Sequence, residues 1–167
     1  MYRLLILSTL FFVSASADAD KRECEKLFDP RAVRCCQKTS DLEDNFVKSE
    51  DVKECLQGNM DPTVCEYDLC IAKKRGFATD DNKLDTSKME ELMAKDFGSD
   101  AELMKDLKSK CIDGDLNKYG PPEICDFIKI RNCLKMTLLK HCPEWNINDA
   151  CNEFKGLVQE CGKTVFS

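Results

Sequence analysis

Twelve cysteines, at positions 24, 35, 36, 55, 65, 70, 111, 125, 133, 142, 151 and 161, constrain this chain more than any other feature. Their number is even, so six disulfides and an oxidising compartment are expected. The first residues agree. MYRLLILSTLFFVSASA carries Arg3, an apolar run from Leu4 to Val13, then Ala15-Ser16-Ala17. A charged start, an apolar stretch of about ten residues and an A-x-A site describe a secretory signal peptide over residues 1–17. The apolar run is too short for a membrane span, which takes about 20 residues. No later stretch is apolar enough either, so a soluble, extracellular product without stable membrane insertion is expected. Residues 18–167 suit one domain able to bury about 68–70% of its unfolded surface. The chain's net charge is −6, and losing Arg3 makes it one unit more negative. That balance disfavours nucleic acid and anionic lipid, which call for a basic patch. No asparagine lies in an N-x-S/T sequon, so N-glycosylation is not expected.

Helical signals dominate, and sustained period-2 runs are missing. Asp61-Pro62 opens a helix through VCEYDLCIAKKRGF, with Gly76 near its end. Asp85 or Thr86 caps KMEELMAKDFG, where Met89, Leu92, Met93 and Phe97 share a face and Gly98 stops the helix. Ser99 starts DAELMKDLKSKC, with Leu103, Met104 and Leu107 as its stripe. Pro121-Pro122 opens the long helix EICDFIKIRNCLKMTLLKHC, and Pro143 lies beyond it. Asn148 caps DACNEFKGLVQEC, which Gly162 terminates. Another helical stretch, with Phe46, Val47 and Leu56, lies between Ser40 and Gly58. The expected fold is all-α, a single disulfide-stapled domain of six or seven short helices.

Catalytic and metal sites find little support. Vicinal Cys35-Cys36 suggests a secreted phospholipase helix, but CCQKTSDL lacks the histidine that would activate water. The single histidine, His141, ends a helix, where it suits the helix dipole. DGDLNKYGPPE places Asp113, Asp115 and Asn117 at the first ligand positions of a calcium loop, yet Lys118 and Ile124 stand where glycine and glutamate are needed. DDNKLD at 80–85 is weaker, and no CxxC supports zinc or redox chemistry. No enzyme activity, cofactor or metal is expected. The methionines are read either as plain core or as a pocket wall that adapts to several apolar ligands.

Cys133 and Cys142 lie nine positions apart, so on one helix their sulfurs point roughly 180° apart. Cys65-EYDL-Cys70, the interval to Cys111, the next to Cys133, and Cys133-x8-Cys142-Pro143 closely resemble insect odorant-binding proteins. The proline after Cys142 and the additional cysteines resemble the Plus-C subclass, with residues outside the core as its N- and C-terminal extensions. VCEYDLCIAKKRGFATDDNKLD also resembles that family's third helix and following turn. In that family the core cysteines pair first with third, second with fifth and fourth with sixth. Carried over, the resemblance implies Cys65–Cys133, Cys111–Cys142, and Cys70 with Cys35 or Cys36, Cys36 fitting the first interval better. Cysteines 24, 35, 55, 125, 151 and 161 would supply three more bridges in an order the sequence does not give.

The resemblance implies a secreted carrier for small hydrophobic molecules such as odorants or pheromones. Its bridges would hold helices around an apolar cavity. The converging faces put Met89, Leu92, Met93, Met104, Leu107, Phe127, Leu134 and Leu138 on the cavity walls. Phe166, in the terminal TVFS, either folds back over the mouth or belongs to a frayed tail. A membrane receptor and a second copy of the chain are the protein partners compatible with such a carrier. The rival expectation is a secreted protein-interaction module or inhibitor with a filled core.

Overall fold

The computed structural model describes residues 22–37, 53–55 and 64–164. The expected signal peptide, Asp61-Pro62, most of the 40–58 stretch and Phe166 lie outside the described residues. Within them the chain is helical, with no strand and only two isolated bridges, Cys36 with Trp145 and Ala78 with Leu84. A short 3-10 turn, Glu25–Phe28, leads into α1, Pro30–Val33, where Asp29 caps the helix by accepting from the Arg31 backbone N–H at 2.8 Å. Then come α2, Cys65–Arg75; α3, Thr86–Phe97; α4, Ala101–Leu107; α5, Asp126–Lys140; and α6, Asp149–Thr164. A wider π turn, Lys108–Ile112, continues α4, and a 3-10 turn, Leu116–Tyr119, precedes α5.

Local chemistry accounts for most of these boundaries. Gly76 closes α2 in the left-handed conformation, at φ 79°, which favours glycine. Asp85 caps α3 through the Lys88 N–H at 3.0 Å, and Asn148 receives the Cys151 N–H at 2.9 Å at the start of α6. Three boundaries differ from the sequence expectation. Asp100, not Ser99, caps α4, because its carboxylate reaches the Leu103 N–H at 3.0 Å. The long helix starts at Asp126, since Pro121–Ile124 form a turn and Cys125 is extended, bridged to Cys65. α6 runs past Gly162 to Thr164, with Cys161 anchored to Cys24.

All twelve cysteines are paired, with Cα–Cα separations between 5.2 and 6.0 Å. The bridges form two groups. Cys24–Cys161, Cys35–Cys151 and Cys36–Cys142 are nested one inside another. Inside them, Cys55–Cys70, Cys65–Cys125 and Cys111–Cys133 interlock. These six enclosed cysteines pair first with third, second with fifth and fourth with sixth. The order is that of the family resemblance, but the residues are not. Cys65–Cys133, Cys111–Cys142 and the pairing of Cys70 with Cys35 or Cys36 are all overturned.

The physical reason lies at the end of α5. His141 is its C-cap, so Cys142 is no longer on the helix. The chain beyond turns back along the N-terminal segment, where the Asn146 N–H donates to the Cys35 carbonyl at 2.8 Å and the Gln37 N–H to the Glu144 carbonyl at 3.0 Å. Cys142 therefore meets Cys36. Cys133, buried mid-helix, meets Cys111 on the π turn. Within α5 itself only Cys133 is bridged, whereas Cys125 and Cys142 tie down the segments flanking its two ends.

α5 is the central element. Phe127, Ile128, Lys129, Ile130, Asn132, Cys133, Met136, Thr137 and Leu139 are all buried, so it is covered on most of its circumference. Its buried residues Lys129, Asn132 and Thr137 have polar partners, whereas the Nε of half-buried Arg131 has none among the described residues. Lys129 Nζ donates to Asn117 Oδ1 at 3.0 Å, Asn132 Nδ2 to the Tyr119 carbonyl at 2.9 Å, and the Thr137 hydroxyl lies 3.6 Å from the Cys111 sulfur. Asp115 caps the 3-10 turn through the Asn117 N–H. The segment from Asp113 is thus a polar inter-helix turn.

Candidate functional site

The apolar faces of α3, α4 and α5 converge. Met89, Met93 and Leu107 belong to one buried cluster with Met136, Leu139 and Tyr119, against which the half-buried Met104, Leu134 and Leu138 pack. Leu107 is fully buried. Two expected wall residues lie elsewhere. Leu92 is half-buried outside this cluster, and Phe127 is buried outside it too. Phe127 shares a side of α5 with Leu134, but seven residues separate them by roughly 10 Å along the axis. Phe166 lies outside the described residues.

These faces pack together into the buried cluster. Two clefts among the described residues lie elsewhere, and none of the expected wall residues lines them. One, of about 440 Å³, runs along the outer face of α2 past Leu69 and Cys70. The other, of about 580 Å³, lies between the N-terminal segment and the start of α6, bordered by Arg31, Arg34, Cys35, Asn146, Ala150 and Phe154. Sequence patterning gave no signal for it, because it is assembled by the Cys35–Cys151 bridge across 116 residues.

No family model, curated protein or solved structure matches the chain.

At the edge of the core, Asp106 on α4 gathers two lysines and the histidine. Its Oδ2 accepts from Lys140 Nζ at 2.9 Å and lies 3.1 Å from His141 Nε2 and 3.4 Å from Lys110 Nζ. Burial works to raise the Asp106 pKa, but the hydrogen bonds from Lys140 and His141, with the Lys110 and Lys140 charges, hold it well below the usual carboxylate range. The Lys110 pKa is lowered too, chiefly by burial and by neighbouring Lys140. His141 is thereby committed to tying α5 to α4. The Asp106–Lys110 pair is readable from its i,i+4 spacing; its meeting with Lys140 and His141 depends on the tertiary fold. No helix among the described residues is long and apolar enough to cross a membrane.

Proposed function

We propose that this protein is a secreted, odorant-binding-protein-like carrier of small hydrophobic molecules. One observation carries the proposal: the six enclosed cysteines interlock first with third, second with fifth and fourth with sixth. That order matches the one implied by the sequence resemblance, and the three nested bridges account for the additional cysteines of a Plus-C chain. The signal-peptide-like start and the six disulfides favour export into an oxidising compartment. The ligand would lodge among Met89, Met93, Met104 and Met136, with Leu134 and Leu138 at the rim. Methionine suits this role because its unbranched, polarizable side chain repacks around ligands of different shape. Burying about 200 Å² of ligand apolar surface is worth roughly 5 kcal/mol, before the costs of association. Binding should accordingly be micromolar rather than picomolar, and tolerant of ligand shape.

A second function, a protein-interaction module or inhibitor, is favoured by the close packing of the same stripes into a buried cluster. Titration of the oxidised protein with an apolar fluorescent probe separates the two. The carrier gives saturable binding displaced by small neutral odorants, and Leu134→Trp weakens it while helical circular dichroism is retained. Absence of saturable binding by the folded protein would favour the interaction module.

A further inference from the structure

We propose that the cleft between the N-terminal segment and α6 is a second binding site, specific for a single-chain organic carboxylate. Its volume of about 580 Å³ falls within the range of small-molecule pockets, about 300–1,000 Å³. Five charged side chains border it: Lys26, Arg31 and Arg34 against Asp29 and Glu153. Four of these have local counter-charges. Arg31 holds Asp29 at 2.6 Å, and Lys26 pairs with Glu23 while lying in the field of Glu153. Arg34 is left over: its side chain has no ion pair among the described residues, although the chain as a whole is acidic.

A guanidinium presents parallel N–H donors that fit a carboxylate, so Arg34 supplies the head-group contact. The half-buried ring of Phe154, Ala150 and the Cys35–Cys151 bridge supply an apolar wall for a chain. This wall is already organised before any ligand arrives. Asn146 donates from its backbone to the Cys35 carbonyl and from its side chain to the Arg34 carbonyl, both at 2.8 Å, which fixes the two sides of the cleft together. Little ordering is left to be lost on binding. The site shares none of the four methionines, Leu134 or Leu138; Phe154 packs against their buried cluster, but Arg34 and Ala150 lie outside it, so the site is tested independently of the carrier proposal.

The test compares dodecanoate with dodecanol by calorimetry on the full oxidised protein, with the apolar fluorescent probe reporting the core separately. Arg34→Glu should weaken dodecanoate about tenfold or more while sparing dodecanol. Ala150→Trp, on an exposed helix position, should block dodecanoate by filling the cleft. Both variants should bind the apolar probe as the parent does. Arg34→Gln serves in place of the charge reversal if that variant does not fold. Equal dodecanoate affinity in the parent and either Arg34 variant overturns the proposal, as does unchanged binding in Ala150→Trp. If the apolar probe never binds but dodecanoate still responds to Arg34→Glu and Ala150→Trp, the carboxylate site stands and only the core carrier falls.

Discussion

Arg131 and Asp68 join α5 to α2 by one guanidinium nitrogen, Nη1, at 3.0 and 2.8 Å from the two carboxylate oxygens. Asp68 is only 8% exposed. Burial raises its pKa, and Arg131 opposes that shift without cancelling it. A buried ion pair contributes little net stability, but removing one partner strands the other. Arg131→Met should cost about 3 kcal/mol, and Asp68→Leu combined with it should recover most of that loss. Equal stability of the single and double variants in urea unfolding would show that the pair is not coupled. Asp106 is shifted the opposite way. Because its folded pKa is lowered, its contribution is present above the unfolded value of about 4 and fades as pH falls toward the folded value. Asp106→Asn should therefore cost about 1–3 kcal/mol at neutral pH, with the deficit shrinking below about pH 4. Unfolding at neutral pH and near pH 3 reads the difference; a deficit independent of pH would contradict it. Asp68 has the opposite sign, its contribution being present in acid and lost as pH rises, and it is unchanged in this variant.

At the scale of elements, caps were the legible part. Gly76, Asp85 and Asn148 each act where a short-range chemical rule places them, since a cap needs only its own helix. The errors at both ends of α5 fall where a distant cysteine decides. Pro121-Pro122 has the makings of a helix start, yet Cys125 is extended and tied to Cys65, so the helix waits until Asp126. Cys142 falls beyond the helix because its partner lies on the N-terminal segment. Placing Phe127, Leu134 and Leu138 on one cavity-facing side of α5 overlooks the apolar residues at 127, 128, 130, 136 and 139 that surround the helix. That all-round pattern marks a central helix and explains why Leu134 and Leu138 are rim positions. The nested bridges make a further prediction. Cys24–Cys161 spans 137 residues, but Cys35–Cys151 inside it already spans 116, leaving about 21 residues of additional loop. Replacing Cys24 and Cys161 by alanine should thus cost about 3 kcal/mol rather than the roughly 5 expected for an isolated long loop. The larger loss, measured by chemical unfolding under oxidising conditions, would mean the nested bridges do not share the constraint.

For the whole molecule, fold class and complete pairing of the cysteines were legible, because composition and helical periodicity report them directly. Which cysteines meet was not legible, since the same spacing admits more than one register of the interlocked order. Cys125-x7-Cys133 and Cys133-x8-Cys142 are nearly equivalent as sequence patterns, and only the end of α5 distinguishes them. The expected wall residues divided for a similar reason: periodicity fixes the side of a helix but not the depth along it. The molecule that results has an outer set of nested bridges clamping the two ends of the described chain around an interlocked helical core. Its proposed role as a carrier rests on that inner interlock. The most direct test is disulfide mapping by mass spectrometry of proteolytic fragments from the oxidised, unreduced protein. The structure predicts fragments joined through Cys55–Cys70, Cys65–Cys125 and Cys111–Cys133, whereas joined fragments containing Cys65–Cys133 and Cys111–Cys142 would contradict it.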